Sequence, residues 1–547
     1  MVMMFFLIRF VHDIKKDSFQ MKKIILLISF SLFISCQSIK QFNLELAQPL
    51  SVKKLQSDVD YSYKKLKQLH PKLYWYISKE KLDFKFDSLK KSIQKPITGL
   101  AFYKELSQVV KCVGQGHIGI TPSFEKVSKK EQTQLKKKGK SAFSQFDFEF
   151  LENKLFIKKN RSRHNINDMT EVVSVNDELP SELISTYKKR IASDGYNQTF
   201  FYQYLGKYFG SFYNYDKGKI QDSLKFLLKL EKKDSLFVVK RDTFGTNSNT
   251  SNLKLSKKEL KEKVKLNSKY GFNFDTKTFT RELKFIEKDS TTAIMTIKQF
   301  NNGNSTAFYE DSFNILSVSN TKNLIIDLRN NPGGRLNEIS ELYSYLVHKP
   351  FYFIENYEVV SRTSKMHVSY FKGGGPVLKF FKILFAPFYY TSEFFNVNKV
   401  DDKFIFNTRF SKLKQSKLNN FKGKVYVLIN GGSFSASSVI SSNLKSNKRA
   451  FFVGEETGGA YNGTVAAQMA SVQLPNSKVN LKIGLALVSA IGKTDIDGRG
   501  IFPDKEIIPT IEDRKNKIDP ELKWVLDDIR REKEVEELLK NKEHSEK

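Results

Sequence analysis

At 547 residues, with 40% hydrophobic and 13% aromatic residues, the chain is too long for one compact core and too apolar for a disordered protein. Lys and Arg number 91 against 59 Asp and Glu, which gives a formal net charge of +32. The basic residues are spread along the whole chain and accompany no nucleic-acid-binding module, so we expect no nucleic-acid partner.

The first segment has the pattern of an export signal. A basic start at Met21 precedes the apolar run IILLISFSLFI, and Ser35 stands just before Cys36. The stretch LFISC resembles a lipoprotein signal, which implies that Cys36 carries a lipid and anchors the mature chain to a membrane. We therefore expect residues 1–36 to be a signal peptide, with Met21 as an alternative start, and the rest to be exported to the cell envelope. An uncleaved N-terminal anchor is the alternative.

The next two segments differ in their hydrophobic periodicity. Residues 37–145 carry apolar residues at helical spacing, as in DYSYKKLKQLHPKLYWYI, and predict a helical region that includes the turn GQGHIGI. Residues 146–244 change to short alternating runs such as FDFEFLENKLFIKK and predict a β-rich domain. Within it, MTEVVSVNDELPSELI resembles part of a PDZ domain, so a PDZ-like fold is one expectation. Residues 245–280 are polar and Lys-rich and predict a linker with one exposed helix.

From residue 281 to residue 515, predicted strands alternate with predicted helices. TTAIMTIKQF, NLIIDLR and KVYVLI have the composition of buried strands, and helical patterns separate them. This order predicts an α/β domain with a largely parallel sheet covered by helices. Residues 516–547 predict a charged helical tail.

An insertion, residues 350–420, interrupts this domain. Its segment GGGPVLKFFKILFAPFYY contains Lys379 and Lys382 and is too short to span a bilayer. Three roles stay open for it: a lid over the substrate, a helix at a membrane interface, and a buried core helix.

Three loops of this domain contain glycines or serines at sharp turns. In NLIIDLRNNPGG, Pro332 fixes the approach to the turn at Gly333 and Gly334, whose backbone N–H groups can hold a developing oxyanion. Each such donor is worth about 3 kcal/mol. The second loop, GGSFSASSVI, packs four serines between a strand and a helix, and the third is DIDGRGIFPD.

In their order and spacing, IIDLRNNPGG, GGSFSASSVISSNLKSNKRAFFVGEETGG and GRGIFPDKEI resemble the catalytic domain of the C-terminal processing (tail-specific) serine peptidases. LHPKLYWYISKEKLDF and KCVGQGHIGI resemble the N-terminal segment of exported members. The resemblance implies a crotonase/ClpP-like catalytic domain and selects Ser435 as the nucleophile. The N–H of Ala436 is then expected to join Gly333 and Gly334 as the oxyanion hole.

The general base expected for Ser435 depends on which branch of the family the sequence resembles. Ala460 stands where one branch carries its catalytic lysine, so the resemblance is to the tricorn-like branch, in which histidine is the base. His117 is the residue that matches, and Asp497 falls where that branch has a supporting glutamate. His367 and His348 stay open as competing bases.

Structural roles remain the alternatives for these residues. Ser435 has the residue type of a helix N-cap, His117 that of a group bridging backbone atoms in a Gly-rich turn, and Asp497 that of an Asx turn. We expect Asp327 and Arg329 to form a structural pair. Asp504 is also expected to be structural.

The resemblance implies an exported serine endopeptidase. It would hydrolyse peptide bonds in unfolded or C-terminal segments of envelope proteins through an acyl-enzyme, without a cofactor. No metal is expected, because the seven histidines are dispersed and two cysteines cannot build a zinc site. Ser438, where the family has glutamate, and Ala460 motivate the alternative of a non-catalytic peptide-binding protein that keeps the fold.

Overall fold

The computed structural model describes residues 38–231, 233–243, 257–273, 278–286, 290–367 and 375–545. The expected signal peptide and its lipid acceptor Cys36 lie outside these residues. Within the described ranges, no helix combines the length and the apolar character that a bilayer crossing requires.

The helices are distributed along the whole described chain. In chain order they are α1 (Ile39–Ala47), α2 (Val52–Leu69), α3 (Lys79–Ser92), α4 (Gly99–Lys111), α5 (Lys129–Lys137), α6 (Pro180–Lys188), α7 (Thr199–Lys217), α8 (Lys257–Tyr270), α9 (Ser305–Val318), α10 (Leu336–Ser344), α11 (Pro376–Phe395), α12 (Ala436–Ser446), α13 (Ile511–Lys515) and α14 (Pro520–Ser545).

The strands form two large sheets, one middle sheet and one small hairpin. They are β1 (Gly119–Thr121), β2 (Phe146–Leu151), β3 (Lys154–Asn160), β4 (Thr170–Val175), β5 (Ser223–Lys229), β6 (Asp234–Lys240), β7 (Phe272–Asn273), β8 (Thr278–Phe279), β9 (Arg281–Phe285), β10 (Thr292–Ile297), β11 (Asn323–Asp327), β12 (Tyr357–Val359), β13 (Val397–Val400), β14 (Lys403–Phe406), β15 (Lys424–Ile429), β16 (Phe451–Gly454), β17 (Thr464–Gln473), β18 (Asn480–Val488) and β19 (Lys505–Glu506).

The N-terminal helices share a core with the distant hairpin β17–β18. Helix α2 buries Leu55, Val59 and Leu66 on one face, at the spacing that its sequence predicts. The same core contains Leu481 and Ile483 of β18. The helical region is therefore docked on the second half of the chain.

Strand β1 extends this docking. It pairs antiparallel with β18, with Gly119 opposite Lys482 and Thr121 opposite Asn480. The turn that carries His117 lies immediately before β1, so this pairing holds the turn against the later domain.

The middle region is a five-stranded antiparallel sheet of the described residues, in the order β2 to β6, with helices α6 and α7. The β-rich prediction is confirmed for the strands, but it missed α7. This helix buries Phe201, Leu205, Phe209 and Tyr213, four positions apart, in the core of the middle sheet. Whether the region is PDZ-like stays a prediction.

The predicted α/β domain with a mostly parallel sheet is confirmed. Its sheet has the order β19-β16-β15-β11-β10-β9, in which every described pair is parallel except β10 with β9. Helices α9, α10 and α12 pack on it through a core that contains Phe313, Ile339 and Ile440. The loops that follow β11 and β15 at their carboxyl ends therefore lie side by side.

The insertion contributes β12, β13, β14 and α11, and its strands join β1, β17 and β18 in a second sheet whose described pairs are all antiparallel. Helix α11 is not a buried core helix: Phe380 is 64% exposed and Phe388 is 71% exposed. That role is therefore ruled out.

The charged tail is only partly a solvated helix. The first half of α14 packs Val525 and Ile529 against Tyr426 and Val453 of the parallel sheet, and its second half is exposed. Arg329 ties the start of α14 to the sheet by ion pairs with Asp519 and with Asp327, so the expected Asp327–Arg329 pair is structural.

Candidate active site

Ser435 lies at a sharp turn between β15 and α12. Its backbone has φ 58° and ψ −117°, a conformation that costs about 1–3 kcal/mol for a residue with a side chain. Such strain persists only where the surroundings enforce it, and it exposes the serine hydroxyl at the start of the helix. Ser435 occupies the N-cap position, yet its side chain makes no capping hydrogen bond, so the helix-cap role does not explain it.

The other serines of the run have structural bonds instead. The Ser433 hydroxyl donates to the Leu328 carbonyl at 2.7 Å and Ser437 to the Asn331 carbonyl at 3.0 Å. Ser438, at the position of the family glutamate, is buried and donates to the Ser433 carbonyl at 3.2 Å. The Ser433 and Ser437 hydroxyls therefore hold the two loops together, and Ser438 bonds within its own loop.

His117 lies beside Ser435. Its Nε2 is 3.0 Å from Ser435 Oγ, and its ring stacks on Phe434 with the ring centroids 4.6 Å apart. The pairing of β1 with β18 carries the histidine to this position from the N-terminal region. The competing bases lie elsewhere: His348 is exposed and contacts Asn420, and His367 is exposed on the insertion.

The second ring nitrogen of His117 contacts Thr464 at the start of β17. His117 Nδ1 lies 3.0 Å from Thr464 Oγ1, and the Thr464 hydroxyl donates to Asp194 Oδ1 at 3.4 Å. Because the Thr464 hydroxyl proton points to Asp194, the Thr464 oxygen is free to accept a hydrogen bond from His117 Nδ1–H. This tautomer leaves Nε2 as an acceptor for the Ser435 hydroxyl.

Asp194 is a site residue that sequence reasoning missed. It is 1% exposed and also accepts the N–H groups of Gly116 at 2.7 Å and Ala460 at 3.3 Å. Asp194 thus links the turn before His117 to Ala460, the position at which the other branch of the family has its catalytic lysine. In the sequence, Asp194-Gly195 has only the signature of an ordinary turn.

Burial changes the protonation of both groups. Burial, with a smaller contribution from the charge of Lys482, lowers the pKa of His117 to about 4, so the imidazole is neutral at neutral pH. Burial raises the pKa of Asp194 to about 6, although its bonds to Gly116, Ala460 and Thr464 oppose the shift. A neutral imidazole with a free Nε2 has the form that a general base requires.

Asp497 does not occupy the supporting position that was expected for it. Its carboxylate accepts hydrogen bonds from Trp75 Nε1 at 2.5 Å and Asn462 Nδ2 at 3.2 Å, and the residue is exposed. The structure instead puts Thr464 and Asp194 behind His117. Asp504 accepts the Phe452 N–H at 2.8 Å, which is a structural contact.

The expected oxyanion donors need one correction. The Gly333 N–H is already bonded to Asn331 Oδ1 at 2.9 Å, so Gly333 is not a free donor. Phe300 bonds the Gly333 carbonyl and the Arg335 N–H, which turns the N–H of Gly334 to the opposite side. Gly334 and Ala436 both line the cavity at Ser435 and are the two candidate donors.

Gly333 instead shapes the turn. A Cβ on this residue would lie 2.7 Å from both Ala436 N and Phe434 O, and its φ is 94°. Only glycine fits between the two loops at this point.

A cavity of about 720 Å³ opens beside Ser435. Much of its wall is apolar and comes from α10, the insertion and the β17–β18 hairpin: Leu336, Tyr357, Phe406, Phe410, Met469 and Val488. The cavity is therefore suited to a large apolar side chain. Across the described ranges, no group of three or more His, Cys, Asp or Glu residues is placed to hold a metal ion.

Comparison with known proteins gives a family and a fold. Residues 291–507 match the model of peptidase family S41. Mature CPAF in complex with lactacystin has a TM-score of 0.55 at 14% identity, over 85% of this chain and 96% of that chain. Mature CPAF alone has a TM-score of 0.51 at 14% identity, over 84% of this chain and 94% of that chain.

A third structure, the photosystem II D1 C-terminal processing protease, matches at 12% identity and a TM-score of 0.38, over 83% of this chain and 92% of that chain. A search of the curated proteins finds no match. The CPAF likeness shows a shared fold, and the family match covers the strands and loops around Ser435. The domain at residues 291–507 therefore belongs to peptidase family S41, the C-terminal processing peptidases, and is a serine-type peptidase domain.

Proposed function

We propose that the protein is an exported endopeptidase that cleaves peptide bonds through an acyl-enzyme on Ser435. The observation that carries this proposal is the 3.0 Å contact between Ser435 Oγ and His117 Nε2 at a strained turn. A hydroxyl is a weak nucleophile until a base in hydrogen-bond reach takes its proton. His117, which is neutral and partly buried, satisfies that requirement.

The proposed steps use the contacts described at Ser435. His117 Nε2 accepts the Ser435 proton while Oγ forms a bond to the carbonyl carbon of the substrate. The N–H groups of Gly334 and Ala436 stabilise the resulting oxyanion. His117 then gives its proton to the leaving amine as the C–N bond breaks. Water, deprotonated by His117, hydrolyses the ester and restores the serine.

Thr464 and Asp194 have a positioning role in this scheme. The Thr464 oxygen holds the proton on His117 Nδ1, and the Asp194 carboxylate orients the Thr464 hydroxyl. When His117 becomes an imidazolium, the carboxylate stabilises its charge through Thr464. Thr464 thus separates the carboxylate from the histidine, whereas the aspartate of a serine–histidine–aspartate triad contacts the histidine directly.

The substrate is expected to be an extended polypeptide. Strand β17 pairs with β18 on one side, and Thr464, Ala466 and Met469 of β17 line the cavity at Ser435. A substrate segment that pairs with the other edge of β17 would present its carbonyl to Ser435 and one side chain to the apolar cavity. Such binding uses main-chain hydrogen bonds and suits the unfolded or C-terminal segments of envelope proteins.

A non-catalytic peptide-binding protein is the second candidate. It was motivated by Ser438 and Ala460, which differ from the family pattern. Both have local explanations, because Ser438 bonds the Ser433 carbonyl and the Ala460 N–H bonds Asp194. With a base in reach of the serine, neither departure requires a loss of activity.

The test is labelling of the purified full chain with a fluorophosphonate, followed by mass spectrometry of the labelled peptide. We expect labelling at Ser435, complete loss in Ser435→Ala, and a large decrease in His117→Ala. His348→Ala and His367→Ala are the matched controls and should label like the wild type.

Folded wild type that takes no label and cleaves no unfolded polypeptide would contradict the proposal. Binding of that polypeptide without cleavage would then support the second candidate. Labelling that depends on His348 or His367 would keep the peptidase but reject His117 as its base.

A further inference from the structure

Helix α11 turns its apolar side away from the protein. Six of its large apolar residues are 48–71% exposed: Leu378, Phe380, Phe381, Leu384, Phe385 and Phe388. A surface helix of a water-soluble protein has the opposite arrangement, with its apolar stripe facing the core. A continuous outward face of this kind marks an interaction surface.

The side of α11 that faces the protein contains four of its polar residues, together with Ala386 and Phe394. Lys382, Tyr389, Tyr390 and Glu393 are partly buried and recur at helical spacing. Glu393 forms an ion pair with Lys365 at 2.5 Å. The orientation of the helix is therefore fixed by specific contacts, and the outward direction of the apolar face follows from them.

A lid over the active site does not fit this orientation. The described residues that line the cavity at Ser435 include Lys365 but none from α11. The apolar face points away from Lys365, on the side of the helix opposite Glu393. If α11 closed over a substrate, its apolar face would still be exposed to water.

The charges of the helix indicate what covers the face. Lys379 is exposed near the N-terminal end of α11, while Glu393, the acidic residue of the helix, is paired with Lys365. Asp401 and Asp402 lie off the helix, in the turn between β13 and β14. The whole chain has a formal net charge of +32, which attracts anionic surfaces.

The expected lipid at Cys36 gives a second, separate reason to place a membrane against α11. The lipid acceptor expected at Cys36 stands two positions before Ser38, the first described residue, and α1 begins at Ile39. A lipid at that position would hold the folded protein directly against a bilayer. One lipid chain binds a membrane only weakly, so a second contact is needed for stable attachment.

We propose that α11 lies flat on an anionic lipid bilayer, with its phenylalanines and leucines at the boundary between headgroups and acyl chains. The Glu393–Lys365 pair then connects the membrane-bound helix to a wall of the active-site cavity. This places the cavity near the bilayer, where polypeptide segments that emerge from the membrane are within reach.

The test places a fluorophore on the helix in the full chain. Cys36→Ser and Cys112→Ser remove the native thiols, and Leu384→Cys supplies the label site. Vesicles of phosphatidylcholine and phosphatidylglycerol contain a nitroxide-labelled lipid. Val318→Cys is the matched control, because Val318 is an apolar residue on α9 and is 88% exposed.

We expect strong quenching at position 384, little at position 318, and at least fivefold weaker binding to vesicles of phosphatidylcholine alone. Phe380→Gln combined with Phe388→Gln should abolish quenching without changing peptidase activity in solution.

Several outcomes would overturn the proposal. A water-exposed label at position 384 on bound vesicles would do so, and so would equal quenching at both positions. Equal binding to the two kinds of vesicle would reject the anionic surface. Concentration-dependent dimers that bury position 384 without lipid would make a second copy the occupant.

Discussion

Thr464 lies between His117 and Asp194, with its Oγ1 3.0 Å from His117 Nδ1 and 3.4 Å from Asp194 Oδ1. A neutral hydroxyl, rather than a carboxylate, therefore contacts the imidazole. The carboxylate is still present, but its effect on the histidine passes through the threonine.

Removing this hydroxyl should slow the enzyme moderately. Thr464→Val keeps the shape of the side chain but loses the acceptor for His117 Nδ1. One such hydrogen bond is worth about 1–1.5 kcal/mol, so kcat/KM should fall about tenfold. Steady-state hydrolysis of a fluorogenic peptide measures the change.

Two variants serve as its controls. Thr464→Ser retains a hydroxyl and should restore most of the activity. Asp497→Asn should have little effect, because Asp497 contacts Trp75 and Asn462 rather than His117. A larger loss in Asp497→Asn than in Thr464→Val would contradict the placement of these residues.

The pH dependence of peptidase activity should follow the protonation of His117. His117 is active only when neutral, and burial lowers its pKa to about 4. Activity should therefore persist as the pH falls below 6 and disappear as the pH passes through about 4. Lys482→Gln removes a cation that lowers this pKa, so the acid limb should move to higher pH.

Titration of Asp194 would give a pH profile that differs from that of His117. Burial raises the pKa of its carboxyl to about 6. An acid limb near pH 6 that disappears in Asp194→Asn would mean that protonation of Asp194, rather than of His117, limits activity. A limb near 6.5 in every variant would show that His117 has an ordinary pKa, against our expectation.

Gly333→Ala should distort the turn at Ser435. The new Cβ would lie 2.7 Å from two backbone atoms, Ala436 N and Phe434 O, and neither can move without displacing the serine. We expect loss of both fluorophosphonate labelling and peptidase activity. Gly375→Ala is the matched control, because a Cβ there meets nothing within 4 Å. Full activity of Gly333→Ala would show that a Cβ at this position does not displace Ser435.

A buried ion pair supports the catalytic domain. Arg281 Nε and Glu338 Oε1 are 2.7 Å apart, and both side chains are 0% exposed. Glu338→Gln leaves the arginine charge without a counter-ion, which should lower the free energy of unfolding by about 3 kcal/mol. Urea denaturation measures this change.

Glu282→Gln, the matched control, breaks an exposed pair with Lys284 and should change the free energy by less than about 1 kcal/mol. Similar effects of the two variants on the free energy of unfolding would show that burial does not determine how much the Arg281–Glu338 pair stabilises the protein.

The parallel sheet and the loop at Ser435 could be predicted from the sequence because their signals are local. Buried strands such as KVYVLI are continuous apolar runs, and each is followed by glycines at the point where the chain must turn. The strained serine lies at one of these turns. Helix α7 was missed because its many aromatic residues favour strands, although Phe201, Leu205 and Phe209 have helical spacing.

The rest of the site depends on contacts that no local pattern contains. His117 could be selected only through the family resemblance, and its contact with Ser435 spans 318 positions of sequence. Asp194 has no local signal, because its role comes from the meeting of three loops. The choice of Asp497 failed for the same reason: a carboxylate next to a matching motif says nothing about which way the loop folds.

The pairing of β1 with β18 also has a consequence for biosynthesis. The segment with His117 is translated before its partner strand, Asn480–Val488, because it precedes that strand in the sequence. Until then the serine and the histidine cannot meet, so the growing polypeptide has no means of digesting itself or its neighbours. Proteolytic competence can therefore begin only after Asn480–Val488 has left the ribosome.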